Sequence, residues 1–124
     1  VALSGKPITI YGGGNQTRSF CFVDDLVEGI IRFMASDPDV TGPINLGNPH
    51  ELTIRELADA ILGMTASDAK LVFETLPDDD PKQRQPDITR AKSFLNWEPQ
   101  VTLEEGLDQT ICYFRQLLPE LLDV

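Results

Sequence analysis

The chain has 124 residues, enough for one domain with a modest hydrophobic core. Its formal net charge of −10 argues against nucleic acids and anionic membranes as partners, because both are negatively charged. With two cysteines that lack CxxC spacing and one histidine, the sequence predicts no metal site.

The cysteines and the N-terminal sequence indicate where the protein is located and whether the chain is part of a larger one. Cys21 lies in an apolar run, which predicts a buried free thiol and a reducing, cytoplasmic environment. No apolar run approaches the ~18 residues of a membrane span. The opening VALSGKP has no signal-peptide character and resembles the last turn of a helix. We therefore expect residues 1–124 to be a single C-terminal piece of a larger protein.

Strands and helices alternate in the first half of the chain. Alternating β-formers predict a strand over 8–11, and a second extended segment over 19–23 precedes a helix that Asp24 or Asp25 caps. One apolar face of this helix is formed by Leu26, Val27, Ile30, Ile31 and Met34. The glycine- and proline-bounded segment 42–49 predicts a strand. A capping box of Thr53 and Glu56 opens the next helix, which is expected to end near Gly63.

The second half continues the alternation. We predict a strand over 70–76, a polar loop over 77–87 and a short helix over 88–96 capped by Asp87. A capping box at 102–105 starts a long helix that Pro119 is expected to end. The order predicts an α/β fold, a small mixed sheet with several amphipathic helices. So thin a sheet leaves apolar surface uncovered, and we expect self-association, for example by swapping a terminal helix.

The glycine-rich stretch YGGGNQTR, residues 11–18, suggests a phosphate loop. It is not a standard cofactor loop, because the third glycine of the dinucleotide fingerprint is replaced by Thr17 and extended chain follows it. Arg18 and Arg84 are better candidates, since a guanidinium group can donate two parallel hydrogen bonds to a diphosphate. Alternatively, Arg18 pairs with Asp24 or Asp25, and Arg84 with 78–80 or Asp87.

No catalytic centre is evident in the sequence. The Tyr-x-x-x-Lys pair of short-chain dehydrogenases is absent, because Asn15 follows Tyr11 and Leu117 follows Tyr113 at that spacing. His50 has no neighbouring nucleophile, so His50 and Glu51 are interpreted as a solvated turn. The acidic run 78–80 lacks the spacing of a calcium loop and is interpreted as solvated or bound to a sugar hydroxyl.

Several segments together resemble one enzyme family. They are ITIYGGGNQTRSFCFVDDLVEGIIRFM, GPINLGNPHELTIRELADAI, DDDPKQRQPDITRAKSFLNWEPQVTLEEGL and TICYFR. They are similar to the C-terminal third of extended short-chain dehydrogenases acting on nucleotide sugars, most closely the UDP-glucuronate decarboxylases (UDP-xylose synthases). QTRSF followed by VDD favours that branch, although Phe22 stands where Tyr is common. A 4,6-dehydratase, a 4-epimerase or a free-standing, non-catalytic binding or assembly module remain alternatives.

The resemblance implies the substrate-binding part of a Rossmann-type enzyme. Its UDP-sugar site would consist of Tyr11, Gln16, Arg18, Asn45, Asp80 and Arg84. Both arginines would contact the diphosphate, and Asp80 the ribose. The resemblance further implies a homodimeric parent enzyme in which NAD would oxidise the sugar at C4, CO2 would be lost, and hydride return would yield UDP-xylose. The NAD-binding part and the catalytic pair would lie upstream of Val1, so we expect the chain alone to be inactive and to bind NAD poorly.

Overall fold

The structure is a computed structural model that describes residues 1–122, with the side chains of residues 1–120. Its strands are β1 (Ile8–Tyr11), β2 (Thr17–Arg18), β3 (Leu52–Thr53) and β4 (Leu71–Glu74). Its helices are α1 (Val23–Met34), α2 (Ile54–Thr65), α3 (Thr89–Leu95) and α4 (Leu103–Leu122), after a short 3-10 turn at Ala2–Ser4. This confirms the predicted α/β class. The strands form two small sheets, β1 with β4 and β2 with β3.

The chain divides into two compact units. The first comprises Val1–Gln16, Thr53–Lys82 and the residues from Glu104 onward. The second comprises Thr17–Leu52 and Gln83–Leu103, and therefore contains Arg18, Asn45 and Arg84.

The first unit is built on a parallel strand pair. β1 and β4 run side by side in register, with Ile8 opposite Leu71, and α2 lies between them in sequence. Parallel strands need such a crossover connection, usually a helix. The Thr53 hydroxyl accepts from the Glu56 amide at 3.1 Å, and the Glu56 carboxylate accepts from the Thr53 amide at 2.8 Å. This confirms the capping box at the start of α2.

The second unit is organised around Trp97. Its indole ring packs with Ile88, Ala91 and Leu95, and partly buried residues, including Ile44 and Leu46, cover this cluster. The Trp97 Nε1 donates to the Asp25 backbone carbonyl at 2.9 Å. The buried Asp25 carboxylate accepts from the backbone amides of Gln100 at 3.0 Å and Val101 at 2.9 Å. These bonds fasten the start of α1 to the segment that follows α3.

Helix α1 turns its apolar face outward. Its buried positions are Asp25 and Gly29, one turn apart, and Gly29 is where Leu46 and Trp97 approach closely. The opposite stripe is exposed and consists of Val23, Val27, Ile30, Ile31 and Met34. Met34 is 80% exposed and Ile31 is 53% exposed. The predicted apolar face therefore exists, and it forms an exposed apolar surface, as expected from so few strands.

Some predicted elements differ from the structure. No strand occupies 42–49 in the described residues, because Ile44 and Leu46 pack against the Trp97 cluster without joining a ladder. The extended segment predicted at 19–23 is wrong as a strand, since β2 lies at 17–18 and α1 already begins at Val23.

The predicted helix boundaries also change. Neither Asp24 nor Asp25 is the N-cap of α1, which is Phe22 without a side-chain cap, because the Asp25 carboxylate is engaged elsewhere. Helix α2 continues past Gly63 to Thr65. Pro119 lies inside α4, which reaches Leu122. Proline removes one backbone donor, a loss that a helix of 20 residues tolerates near its end.

Candidate functional site

The glycine-rich stretch forms a fixed turn within the first unit. Gly12 and Gly14 have φ angles of 70° and 76°, which L-residues rarely adopt. A Cβ on Gly14 would lie 3.1 Å from the Arg55 Cβ, and the Gly14 carbonyl accepts from the Arg55 amide at 3.1 Å. The glycines thus let the turn approach the first turn of α2. The turn leads into β2 at Thr17 rather than into a helix.

Tyr11 and Gln16 lie at the two ends of this turn and are brought together by it. The Gln16 Nε2 donates to the Tyr11 backbone carbonyl at 2.8 Å. The Tyr11 side chain is exposed, at the end of β1. Asp80, also in the first unit, is partly buried in a turn in which its amide donates to the Pro77 carbonyl at 3.2 Å.

Within the second unit, the segments that carry the two candidate arginines are bonded to each other. The Ser19 hydroxyl donates to the Arg84 carbonyl at 3.0 Å. Arg18 is partly buried, and its Nη1 donates to the Thr17 carbonyl at 2.7 Å, whereas Arg84 is exposed. Two permanently charged guanidinium groups on adjoining segments can neutralise a diphosphate.

Two of the acidic residues considered as alternative arginine partners, Asp25 and Asp87, form other hydrogen bonds. The Asp25 carboxylate accepts from the Gln100 and Val101 amides. The Asp87 Oδ1 accepts from the Thr89 hydroxyl at 2.6 Å and from the Thr89 amide at 2.9 Å. The bond from the Thr89 hydroxyl, and to a lesser extent the bond from its amide, lower the pKa of Asp87. The prediction that Asp87 caps this helix is therefore wrong, since the N-cap of α3 is Ile88, although the Asp87 carboxylate binds the first helical residue, Thr89.

Asn45 contacts the segment 83–87 that carries Arg84, here called the late loop. Its Nδ2 donates to the Asp87 carbonyl at 3.2 Å, and Gln85 Nε2 donates to the Pro49 carbonyl at 2.9 Å. The segment 45–49 is thus fastened at two points to the loop that carries Arg84. The second unit therefore gathers Arg18, Asn45 and Arg84 on bonded segments.

Glu51 is the residue that the sequence interpretation missed. The solvated turn holds for His50, which is exposed and donates its amide to the Asn48 side chain at 3.0 Å. It is wrong for Glu51, which is partly buried and accepts from Thr17 Oγ1 at 2.9 Å and from Gln83 Nε2 at 2.7 Å. No local pattern in the sequence marks this role, because the two donors lie 34 and 32 positions away along the chain.

Other candidate chemistry is limited. In the part of the chain that the structure describes, no group of three or more His, Cys, Asp or Glu side chains is arranged to hold a metal ion. Burial, followed by the Asp25 charge, raises the pKa of the Cys21 thiol, which disfavours a reactive thiolate. Both cysteines are free.

Within residues 1–122, no helix is both long and apolar enough to cross a membrane.

Residues 1–110 match the family described as GDP-mannose 4,6 dehydratase. The chain belongs to this family. Its curated relatives include UDP-glucuronic acid decarboxylase 1 of Danio rerio, 49% identical over 94% of this chain and 28% of that protein. UDP-glucuronic acid decarboxylase 4 of Arabidopsis thaliana is 50% identical over 93% of this chain and 26% of that protein. This family member thus spans less than a third of these relatives.

Solved structures of related enzymes share the fold. UDP-glucose 4-epimerase of Thermotoga maritima, solved with UDP-glucose, is 32% identical with a TM-score of 0.88, over 94% of this chain and 37% of that one. UDP-glucuronic acid 4-epimerase of Bacillus cereus, in complex with UDP-glucuronic acid and NAD, is 31% identical with a TM-score of 0.86. That alignment covers 93% of this family member and 37% of the epimerase chain.

Proposed function

We propose that the chain is the substrate-binding part of an NAD-dependent UDP-glucuronate decarboxylase, a carboxy-lyase that converts UDP-glucuronate to UDP-xylose and CO2. The observation that carries the proposal is the identity of 49–50% to two decarboxylases over more than nine tenths of this chain. The solved epimerases are less similar, at 31–32% identity. The difference favours the decarboxylase over a 4-epimerase.

The proposed ligand is the UDP moiety. Arg18 and Arg84 would donate to the diphosphate, and the bond from Ser19 to the Arg84 carbonyl supports a shared role by joining their segments. Asn45 would contact the nucleotide from the segment that it fastens to the late loop. Tyr11, Gln16 and Asp80 are proposed as further contacts to the UDP-sugar. In a chain of net charge −10, an anionic ligand requires such local cations.

The residues present do not fit an NAD site. The glycine turn at 12–14 leads into β2 at Thr17, whereas a dinucleotide loop needs a helix whose N-terminus faces the pyrophosphate. We therefore assign NAD to a Rossmann part outside this chain and expect the 124 residues alone to bind it poorly and to be inactive. The outward apolar stripe of α1 is a surface that such a part would cover. The parent enzyme is proposed to be a cytoplasmic homodimer.

The test of this function uses the longer enzyme that contains the chain. Incubated with NAD and UDP-glucuronate labelled at the carboxyl carbon, the enzyme is expected to release labelled CO2 and form UDP-xylose. Arg84→Ala should raise KM, while exposed Arg115→Ala on α4 should leave it unchanged. Retention of the label in a UDP-uronate epimer would identify a 4-epimerase instead. A 4-keto sugar from a nucleotide hexose, without CO2 release, would identify a 4,6-dehydratase.

A further inference from the structure

We propose that Glu51 is a positioning residue that holds the two arginine-bearing segments in register for an anionic ligand. The inference rests on the proposed function only for the identity of that ligand. A single carboxylate oxygen, Glu51 Oε1, accepts from Thr17 Oγ1 at 2.9 Å and from Gln83 Nε2 at 2.7 Å. Thr17 immediately precedes Arg18, and Gln83 immediately precedes Arg84.

The bonds form a closed ring in the second unit. From Glu51, one branch passes through Thr17 and Arg18 to Ser19, whose hydroxyl donates to the Arg84 carbonyl at 3.0 Å. The other branch passes through Gln83 directly to Arg84. Arg18 is therefore flanked by bonded residues on both sides, and Arg84 is held through its own carbonyl and through the preceding Gln83. Hydrogen bonds to a carboxylate are stronger than neutral ones. The bond from Gln83 is short at 2.7 Å, and the bond from Thr17 has an ordinary length of 2.9 Å.

The position of Glu51 in the chain suits this role. It precedes β3, which pairs with β2, so Glu51 and Thr17 belong to neighbouring strand regions. The late loop has no ladder of its own and is attached by side chains, including Gln85 Nε2 to the Pro49 carbonyl at 2.9 Å. Without Glu51, the Gln83 side chain, next to Arg84, loses its carboxylate acceptor. We therefore expect the late loop to become more mobile.

Electrostatics and positioning predict opposite effects of removing Glu51. A carboxylate beside an anion site lowers the local positive potential, so charge alone predicts tighter anion binding when Glu51 is neutralised. Positioning predicts weaker binding for Glu51→Ala, because ordering the loop must then occur on binding. Glu51→Gln keeps an oxygen that can accept both bonds and should largely restore affinity.

The test is calorimetric titration of the 124-residue chain with UDP. We expect Glu51→Ala to weaken binding about tenfold and Glu51→Gln to remain within about twofold of the unmodified chain. Glu120→Ala, which removes an exposed carboxylate from α4, is the control for net charge and should have no effect. Unchanged or tighter binding by Glu51→Ala would overturn the proposal.

A second readout separates failure of this inference from failure of the proposed function. Amide hydrogen exchange at residues 83–85 should accelerate in Glu51→Ala and in Gln83→Ala, and the double variant should add little. If the unmodified chain does not bind UDP but exchange accelerates as stated, the ligand assignment fails and the positioning role stands. Unchanged exchange in Glu51→Ala overturns the positioning role whatever the ligand.

Discussion

The Ser19 hydroxyl donates a hydrogen bond to the Arg84 carbonyl at 3.0 Å, across 65 positions of sequence. This bond joins the strand region that carries Arg18 to the late loop that carries Arg84. Arg18 and Arg84, which the sequence suggested as contacts to one diphosphate, therefore lie on segments in direct contact. The closeness supports the proposed diphosphate site in the second unit.

Gly29 is predicted to be intolerant of even a methyl group. A Cβ there would lie 2.9 Å from a Leu46 methyl and 3.1 Å from the buried Trp97 ring. We expect Gly29→Ala to lower the free energy of unfolding by about 1 kcal/mol, because overpacking outweighs the gain in helix propensity. Gly63→Ala in α2 is the matched control, since nothing lies within 4 Å. It should raise stability by up to ~1 kcal/mol in urea denaturation. Stabilisation by both changes would contradict the packing described around Gly29.

Asp25 is predicted to stabilise the second unit through its bonds to two backbone amides. Asp25→Ala leaves the amides of Gln100 and Val101 without this acceptor and should cost about 2–3 kcal/mol. Asp25→Asn keeps one acceptor oxygen and should cost less. Denaturant unfolding of both variants measures the difference. Equal losses of stability in Asp25→Ala and Asp25→Asn would contradict a stabilising role for the acceptor oxygen.

The apolar stripe of α1 is predicted to mediate association rather than folding. Ile31→Lys changes a side chain that is 53% exposed, so the stability of the chain should change by less than ~0.5 kcal/mol. Sedimentation or light scattering at high concentration should show self-association of the unmodified chain and its loss in Ile31→Lys. Ser93→Lys adds the same charge to an exposed position of α3 and should not have this effect. A chain that is monomeric throughout would contradict the prediction.

Cys21 is predicted to react more slowly than Cys112 with alkylating reagents. Burial, then the charge of Asp25, raises the pKa of the Cys21 thiol, so less thiolate is present at any pH below that value. Cys112 is exposed on α4. Iodoacetamide labelling of the Cys21→Ser and Cys112→Ser variants from pH 7 to 9 isolates each thiol. The labelling rate of Cys21 should begin to rise only at a higher pH than that of an exposed thiol. Faster labelling at Cys21 than at Cys112 would contradict the prediction.

Local hydrogen bonding was predictable from sequence, and long-range placement was not. The Thr53 capping box involves residues only three positions apart, so its pattern is visible in the chain. The role of Glu51 depends on donors 34 and 32 positions away, which only the fold brings near. The spacing of the α1 stripe predicted an apolar face, yet its outward direction follows from Asp25 and Gly29 packing against the Trp97 region.

Strand prediction at 42–49 failed for a related reason. Its alternating apolar residues are typical of a strand, but a strand also requires a neighbouring ladder, which is a tertiary property. The structure instead uses Ile44 and Leu46 as packing residues for the Trp97 cluster. The substrate assignments of Tyr11, Gln16, Asn45 and Asp80 came from family resemblance. They stay predictions, as do those of Arg18 and Arg84.

The most direct test of the central claim is an NMR titration of the 124-residue chain with UDP-glucuronate, compared with free glucuronate. We predict weak, saturable shifts confined to the candidate site, at residues 11, 16–19, 45, 80 and 83–87, with the nucleotide sugar and none with glucuronate. Arg18→Lys and Arg84→Lys should each weaken binding about tenfold, because lysine loses the bidentate geometry. Arg115→Lys is the control. Shifts elsewhere, or equal shifts with glucuronate alone, would contradict a diphosphate site at Arg18 and Arg84.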